Sequence, residues 1–293
     1  MIKPDLTNAK TIGDAARILR KAFRSAEIVT ADLDARLLAA GVSNLEPHQL
    51  VTGGDDILLS ESQRQNLSQA AWDRMNGMPV HRILGAREFY GLAFGLSDAT
   101  LEPRPDTETL VDAVLPFVRT TVGEKGTCRI VDLGIGTGAI GLAVLAECTD
   151  AQCLGVDISV EAVATALENA RSLGLSDRYA AVTGDWLAGI EAQFDLIVSN
   201  PPYIPTADLQ SLSREVTEHD PVLALDGGAD GLCCYRIIAE QAPARLSEGG
   251  LVALEIGIGQ GESVATLFAA SGFQLEAVLA DLGGVDRVLL FKR

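Results

Sequence analysis

Histidine is scarce in this chain. The three residues, His48, His81 and His219, are scattered without ligand spacing, so neither a zinc centre nor a histidine-based triad has support, and no metal is expected. Cysteine offers no framework either. Cys128, Cys148, Cys153, Cys233 and Cys234 form no C-x-x-C pair, their number is odd and two are adjacent, so reduced, mostly buried thiols are expected. Basic residues are outnumbered, with Lys+Arg 23 against Asp+Glu 40 and a formal net charge of -17. That balance repels phosphate backbones and gives bulk nucleic acid no counterion release to drive binding, so no direct DNA binding is expected outside a local basic groove. Long apolar runs are missing as well. The longest uncharged run, 133–146, is too short and too glycine-rich to cross a bilayer, and Met1-Ile2-Lys3-Pro4-Asp5 lacks the apolar stretch of a signal peptide. A soluble, cytoplasmic protein with no membrane association is the expectation.

What the chain does contain is length, 293 residues, comfortable for two domains with a sizeable core. The first part reads as helices. Thr11 can cap a segment whose apolar positions Ile12, Ala15, Ala16, Leu19, Ala22 and Phe23 recur at helical spacing, with Asp14 near the positive end of the dipole. Thr30 starts a second, carrying Leu33, Leu37 and Leu38, which Gly41 can end in a left-handed cap. Ser60 with Gln63 makes a capping box for a third, broken by Asn76-Gly77. Over 80–100 the pattern becomes a hairpin, with Gly91 at the turn. The strip Pro103-Arg104-Pro105-Asp106-Thr107-Glu108 then leads into a helix from about Thr107.

From Gly126 onward strand and helix patterns alternate. Strands are expected at 129–133, 153–157, before Gly184-Asp185-Trp186, at 195–199, 251–255, 273–279 and 286–291, the last two antiparallel, with a helix over about 231–246. The fold class is therefore α/β: a doubly wound, seven-stranded, Rossmann-like domain over 102–293, preceded by a small helical domain, 1–78, and a β-hairpin linker, 79–101.

Two loops carry chemistry. Gly134-Ile135-Gly136-Thr137-Gly138 joins the first strand of the sheet to a helix N-terminus, where glycine lets backbone approach a ligand closely. Asp157 closes the next strand, placed to take both hydroxyls of an adenosine ribose. The overlapping Gly136-Thr137-Gly138-Ala139-Ile140-Gly141 is a literal G-x-G-x-x-G, so a nicotinamide dehydrogenase competes on this much. The second loop decides between them. Asn200-Pro201-Pro202-Tyr203 follows the apolar run Leu196-Ile197-Val198; its prolines stop the strand and hold backbone carbonyls away from ladder pairing. The Asn200 side chain, the Pro201 carbonyl and the face of Tyr203 suit a planar –NH2 group, amide or exocyclic base amine, and supply no proton donor beyond a tyrosine. Taken alone, the tetrapeptide also reads as a strand-ending loop. Trp186 can pack on an adenine ring or simply in the core.

Assembled, these residues resemble the glutamine N5-methyltransferases of peptide-chain release factors, the HemK-like family. The likeness runs through the helical domain, the hairpin, the 103–108 strip, Asp132-Leu133-Gly134-x-Gly136-x-Gly138, Asn200-Pro201-Pro202-Tyr203, Glu218-His219-Asp220-Pro221 with Gly227-Gly228-Ala229-Asp230-Gly231-Leu232, and Gly259-Gln260-Gly261. The resemblance implies S-adenosyl-L-methionine as methyl donor, contacted by Gly134, Ile135, Gly136, Thr137, Gly138, Asp157, Trp186 and Asn200. It implies a substrate glutamine, in the Gly-Gly-Gln motif of release factors, held by Asn200, Pro201, Pro202 and Tyr203, with Asn200, Pro201 and Tyr203 in the catalytic role and the helical domain docking the substrate protein. Glu102 stands where the family often has an aliphatic residue, and Ile135-Gly136-Thr137 replaces the commoner Thr-Gly-Ser. A ribosomal-protein glutamine methyltransferase shares the tetrapeptide; an adenine-N6 DNA methyltransferase and a non-catalytic release-factor-binding module are more distant alternatives.

Overall fold

The computed structural model describes residues 2–293, with Val51 described by its backbone alone; Met1, the first residue of the expected 1–78 domain, lies outside the described residues. The chain divides into two compact units, Met1–Ala86 and Arg87–Arg293.

The first unit is helical: α1 (Ile12–Ser25), α2 (Ala31–Val42), α3 (Pro47–Gly53), α4 (Glu61–Met75) and α5 (Val80–Leu84). The expected capping box of Ser60 with Gln63 forms, and the expected Thr11 cap proves to be a capping box too, with the Asp14 side chain accepting from the Thr11 amide. Leu19, Phe23, Leu38 and Leu67 meet in its core. A buried Arg74–Asp34 pair, Nε to Oδ2 at 2.7 Å, ties α4 to α2. Three expectations change here. Gly41 does not end α2: the helix continues to Val42, Asn44 takes the left-handed position at φ 54°, and Gly41 is small because a Cβ there would lie 2.5 Å from Leu84. The segment Val80–Leu84 is helical, so the hairpin begins only after Gly85. Helix α3 rests on a Pro47 start and a Glu46–Gln49 capping pair that apolar periodicity does not display.

The hairpin, β1 (Ala86–Phe89) and β2 (Leu92–Gly95), turns at Tyr90-Gly91, both with positive φ. Then follow α6 (Glu108–Lys125), β3 (Cys128–Leu133), α7 (Ala139–Glu147), β4 (Ala151–Asp157), α8 (Val160–Ser172), β5 (Tyr179–Thr183) and β6 (Phe194–Ser199). The chain closes with α9 (Arg214–His219), α10 (Cys233–Gln241), β7 (Leu246–Glu255), α11 (Gly261–Ala270), β8 (Gln274–Ala280) and β9 (Asp286–Lys292). The expected helix over 231–246 is shorter, because Pro243 falls in a closing 3-10 turn and Leu246 already starts β7. Helix α11 was not anticipated.

All seven strands of the main sheet join in the order β5-β4-β3-β6-β7-β9-β8, parallel except for β9, which runs antiparallel to both neighbours. Strand β6 is buried along its whole length, as its unbroken apolar run requires. Leu196 and Val198 point into the layer with α6, α7 and α8, while Ile197 points into the layer with α10 and α11. The order reverses between β3 and β6: successive strands run outward through β4 and β5 on one side and through β7 on the other. Their carboxyl ends therefore open a crevice at the switch point, and both chemistry-bearing loops leave from it.

Candidate active site

One cavity of about 380 Å³ opens at that crevice, reached by the loops after β3, β4, β5 and β6. Its first end is mainly backbone. Gly134, Gly136 and Gly138 all have positive φ (70°, 51° and 80°), so the tight turn needs glycine at each. At Gly138 a Cβ would also lie 2.9 Å from the Tyr179 hydroxyl, so this glycine serves packing beneath the loop, whereas a Cβ at Gly136 would meet only the Leu101 amide nitrogen, at an ordinary 3.9 Å. Asp157 is held in place at both oxygens: Oδ2 accepts from the Gly136 amide and Oδ1 from the Ser159 amide, each at 2.9 Å. Each carboxylate oxygen keeps a further lone pair for a ligand, the arrangement a ribose diol requires. Trp186 flanks the loop, its ring 3.8 Å from where a Gly134 Cβ would be, and its own φ of 52° is a left-handed strain that a large residue rarely accepts. Below the loop Asp132 is fully buried, Oδ2 accepting from the Gly141 amide while Oδ1 has no partner. Burial pushes its carboxyl up to about 7.

The opposite end is built from side chains. Asn200 donates Nδ2–H to the Thr107 hydroxyl at 3.2 Å, and among the described residues no donor engages its Oδ1. Beside both stands Glu255, at the end of β7 and 2% exposed, with Oε2 lacking a hydrogen-bond partner. Burial pushes its carboxyl up to about 7, against the lowering influence of Thr107, Arg287 and Asn200. Tyr203 packs toward the second core layer, its hydroxyl pushed up by burial, while its carbonyl accepts from Gln260 Nε2 at 2.9 Å. That bond straps the tetrapeptide to the β7–α11 connection.

The 103–108 strip converges on the same end. Glu102, buried, pairs with Arg87 of β1; Arg104 donates to Asp220 at 2.8 Å; Asp106 faces Arg287 at 3.6 Å; and Glu108 accepts from the Tyr90 amide at 2.8 Å. Glu102, Arg104, Thr107 and Asn200 all line the cavity. The acid that departs from the usual aliphatic residue is thus a buried ion-pair partner that joins strip to hairpin.

Residues 110–227 match the methyltransferase small domain and residues 14–85 match the PrmC N-terminal domain. A release factor glutamine methyltransferase from Agrobacterium fabrum is 46% identical over 94% of this chain and 94% of its own length; one from Bradyrhizobium diazoefficiens is 45% identical over 97% and 96%. The chain belongs to the release factor glutamine methyltransferase family. It is accordingly a methyltransferase, and solved structures agree on the fold. The hMettl16 catalytic domain in complex with a MAT2A 3′UTR hairpin superposes with TM-score 0.55 at 13% identity, covering 80% of this chain and 82% of that one. A methyltransferase from Pyrococcus furiosus gives 0.51 at 16% identity, covering 76% and 98%.

Against this family frame, the residues singled out in the sequence divide by location. Gly134, Ile135, Gly136, Thr137, Asp157, Trp186, Asn200 and Pro202 line the cavity, whereas Gly138, Pro201 and Tyr203 do not. Pro201 is buried, and among the described residues no donor reaches its carbonyl. Thr107, Glu255 and the Arg104–Asp220 pair were not anticipated at the site. The signal that could have found Glu255 is an acid closing an otherwise apolar strand, Leu251-Val252-Ala253-Leu254-Glu255, the same pattern that marks Asp157 on β4. Among the described residues no three His, Cys, Asp or Glu side chains gather as a metal site, and no helix is long and apolar enough to cross a membrane.

Proposed function

We propose that this methyltransferase transfers the methyl group of S-adenosyl-L-methionine to the side-chain amide nitrogen, N5, of the glutamine in the Gly-Gly-Gln motif of peptide-chain release factors. The observation that carries the reading is the single cavity joining Asp157 and the glycine loop at one end to Asn200 at the other. Asp157, Gly134, Gly136 and Trp186 fit a nucleoside: a fixed carboxylate for the ribose hydroxyls, backbone free of side chains, and a ring to lie against the base. When bound, the cofactor supplies an electrophilic sulfonium methyl.

The chain's own residues then have to align a weak amide nucleophile. Asn200 Oδ1 and the Pro201 carbonyl accept the two N–H bonds of the substrate amide, which turns the nitrogen lone pair toward the cofactor end. Thr107 holds Asn200 from below and Gln260 holds the tetrapeptide at the Tyr203 carbonyl, so little reorganisation accompanies transfer. The proton leaves after transfer, when the nitrogen has become acidic, so the site needs no general base on the nitrogen.

The charge balance supports a protein substrate over DNA. A basic patch of the helical unit, Arg17, Arg20, Lys21 and Arg24 on α1, has its three arginines paired with Asp14, Asp32 and Asp55. The match of 14–85 to the PrmC N-terminal domain supports docking of the release factor by the helical unit. The test is incubation with labelled S-adenosylmethionine and either purified release factor, a ribosomal-protein preparation or plasmid DNA, followed by mapping of the label. Label on the Gly-Gly-Gln glutamine is expected; label on ribosomal protein or DNA alone overturns the assignment.

A further inference from the structure

The orientation of an Asn carboxamide is a chemical variable, because its two ends look alike in shape and opposite in function. If Asn200 presented nitrogen to the cavity, it would meet a substrate –NH2 with donor against donor. Something must fix the oxygen outward. Thr107 alone cannot, since a hydroxyl both donates and accepts and would serve either orientation equally.

We propose that Glu255 is the positioning residue that sets this direction: as an ionised, acceptor-only group it draws the Thr107 hydroxyl proton toward itself, leaving Thr107 to accept from Asn200 Nδ2 and turning Asn200 Oδ1 to the substrate. The proposal deepens the role given to Asn200 above and rests on it. Three observations carry it. Asn200 Nδ2 does donate to Thr107 Oγ1, at 3.2 Å. Thr107 is 5% exposed and Glu255, which does not line the cavity, 2%, so solvent competes little at the Glu255 end. Glu255 acts as hydrogen-bond acceptor toward the side chains of both Thr107 and Asn200, from the strand next to β6 in the sheet, so it favours the same Asn200 orientation directly as well as through Thr107. A buried carboxylate with an unpartnered oxygen is costly to keep, and the leucine, alanine and valine around it show that the strand could have ended apolar.

The other charged and titratable groups facing Glu255 are Arg287 from β9, Asp106 from the strip, the Tyr203 hydroxyl and, from α10, the Tyr235 hydroxyl, which donates to the Glu255 carbonyl at 2.9 Å. Arg287 is already paired with Asp281 at 3.1 Å and Asp106 at 3.6 Å, so it biases Glu255 toward ionisation without neutralising it. Protonated Glu255 can donate to Thr107, which permits the reverse direction along the chain and the wrong face of Asn200. Transfer should therefore rise as pH rises through the neutral range.

The experiment uses the full chain with Glu255→Gln and Thr107→Val, both near-isosteric, and the double variant. Single-turnover methylation of release factor is followed from about pH 5.5 to about 9 at saturating cofactor. In parallel, the Asn200 side-chain amide signals are followed by nitrogen-15 NMR, assigned through Asn200→Ala. Each single variant should slow transfer by about 10-fold or more at high pH, with the double no slower than the worse single, because all three residues act as one chain. Cofactor affinity should stay within about 2-fold, and Glu255→Gln should lose the rising pH limb. The Asn200 amide signals should titrate in wild type and stay flat in Glu255→Gln. Amide signals that do not respond to Glu255→Gln, or losses that multiply in the double variant, overturn the proposal. Because the NMR readout needs no turnover, a wild type that transfers nothing counts against the proposed reaction, while the signals alone decide whether Glu255 orients Asn200.

Discussion

The two ends of the cavity bind by different means. At the glycine-loop end, ligand groups are offered by backbone, one carboxylate and the Trp186 ring, and the carboxylate ties reach no further than 21 residues along the chain: Asp157 to Ser159, Asp157 to Gly136, Asp132 to Gly141. At the Asn200 end side chains make every tie, in one case to a backbone carbonyl, and the ties reach far along the sequence: Asn200 to Thr107, Arg104 to Asp220, Gln260 to the Tyr203 carbonyl, with Glu255 beneath. A backbone cradle is rigid once its turn is made, so single substitutions there change how tightly a ligand is held. A side-chain network holds one reactive geometry among several, so substitutions there change what happens after binding.

The sharpest break of this contrast is Asn200→Ala. Methyl transfer should fall ~10²–10³-fold, the scale for losing one preorganised polar contact at a reacting centre, while cofactor affinity stays within about 3-fold. Single-turnover kinetics with calorimetry separates the two, and equal losses in both would erase the distinction between the ends.

Asp157→Ala is the complementary change. The cofactor's ribose loses a charge-assisted partner worth about 1.5–3 kcal/mol, so affinity should drop about 10–100-fold, while transfer at saturating cofactor stays close to wild type. A large fall in the saturated rate with unchanged affinity would place Asp157 in the chemistry instead.

A third prediction treats both ends together, because each hides a carboxyl raised to about 7, Asp132 and Glu255. A group whose folded pKa lies above its unfolded value contributes stability that is complete below the unfolded pKa, near 4, and is lost as pH rises through the folded one. Between about pH 6 and 8, Asp132 alone should withdraw roughly 1.4 kcal/mol. Urea unfolding at the two pH values checks it, with Asp132→Asn flattening the slope; stability rising with pH in wild type would contradict the buried-acid assignment.

The smallest expected effect is at Arg104→Ala, which leaves buried Asp220 without its 2.8 Å partner. Arg104 is 42% exposed at its side chain, so the loss should be about 1 kcal/mol, or about 2–4 °C in the midpoint of a thermal melt. The loop over 204–225 should also become more susceptible to limited proteolysis. No change in either would make the pair a surface contact without consequence for the strip.

Sequence by itself determined what is local or periodic. The buried run of β6, the glycine positions of the loop, the acid closing β4, the Thr11 cap and the Ser60 capping box, and the proline stop after Asn200 each follow from neighbours a few positions apart, so all were legible. The adjacency of β3 and β6, which brings both loops to one crevice, was legible as well, because alternating strands and helices leave few right-handed topologies. Tertiary structure alone decided the rest. Gly41 reads as a helix end until Leu84 is seen packed against it, and Glu102 reads as a misplaced acid until Arg87 is seen beside it. Thr107 carries no local mark of function, and the acid closing β7 marks Glu255 without saying what it touches: their roles arise only when sheet order sets β7 next to β6 and a strip from before the sheet lies across both. Hydrogen-bond direction at Asn200 is a property of three residues far apart in the chain, which sequence neighbours cannot specify and the fold can.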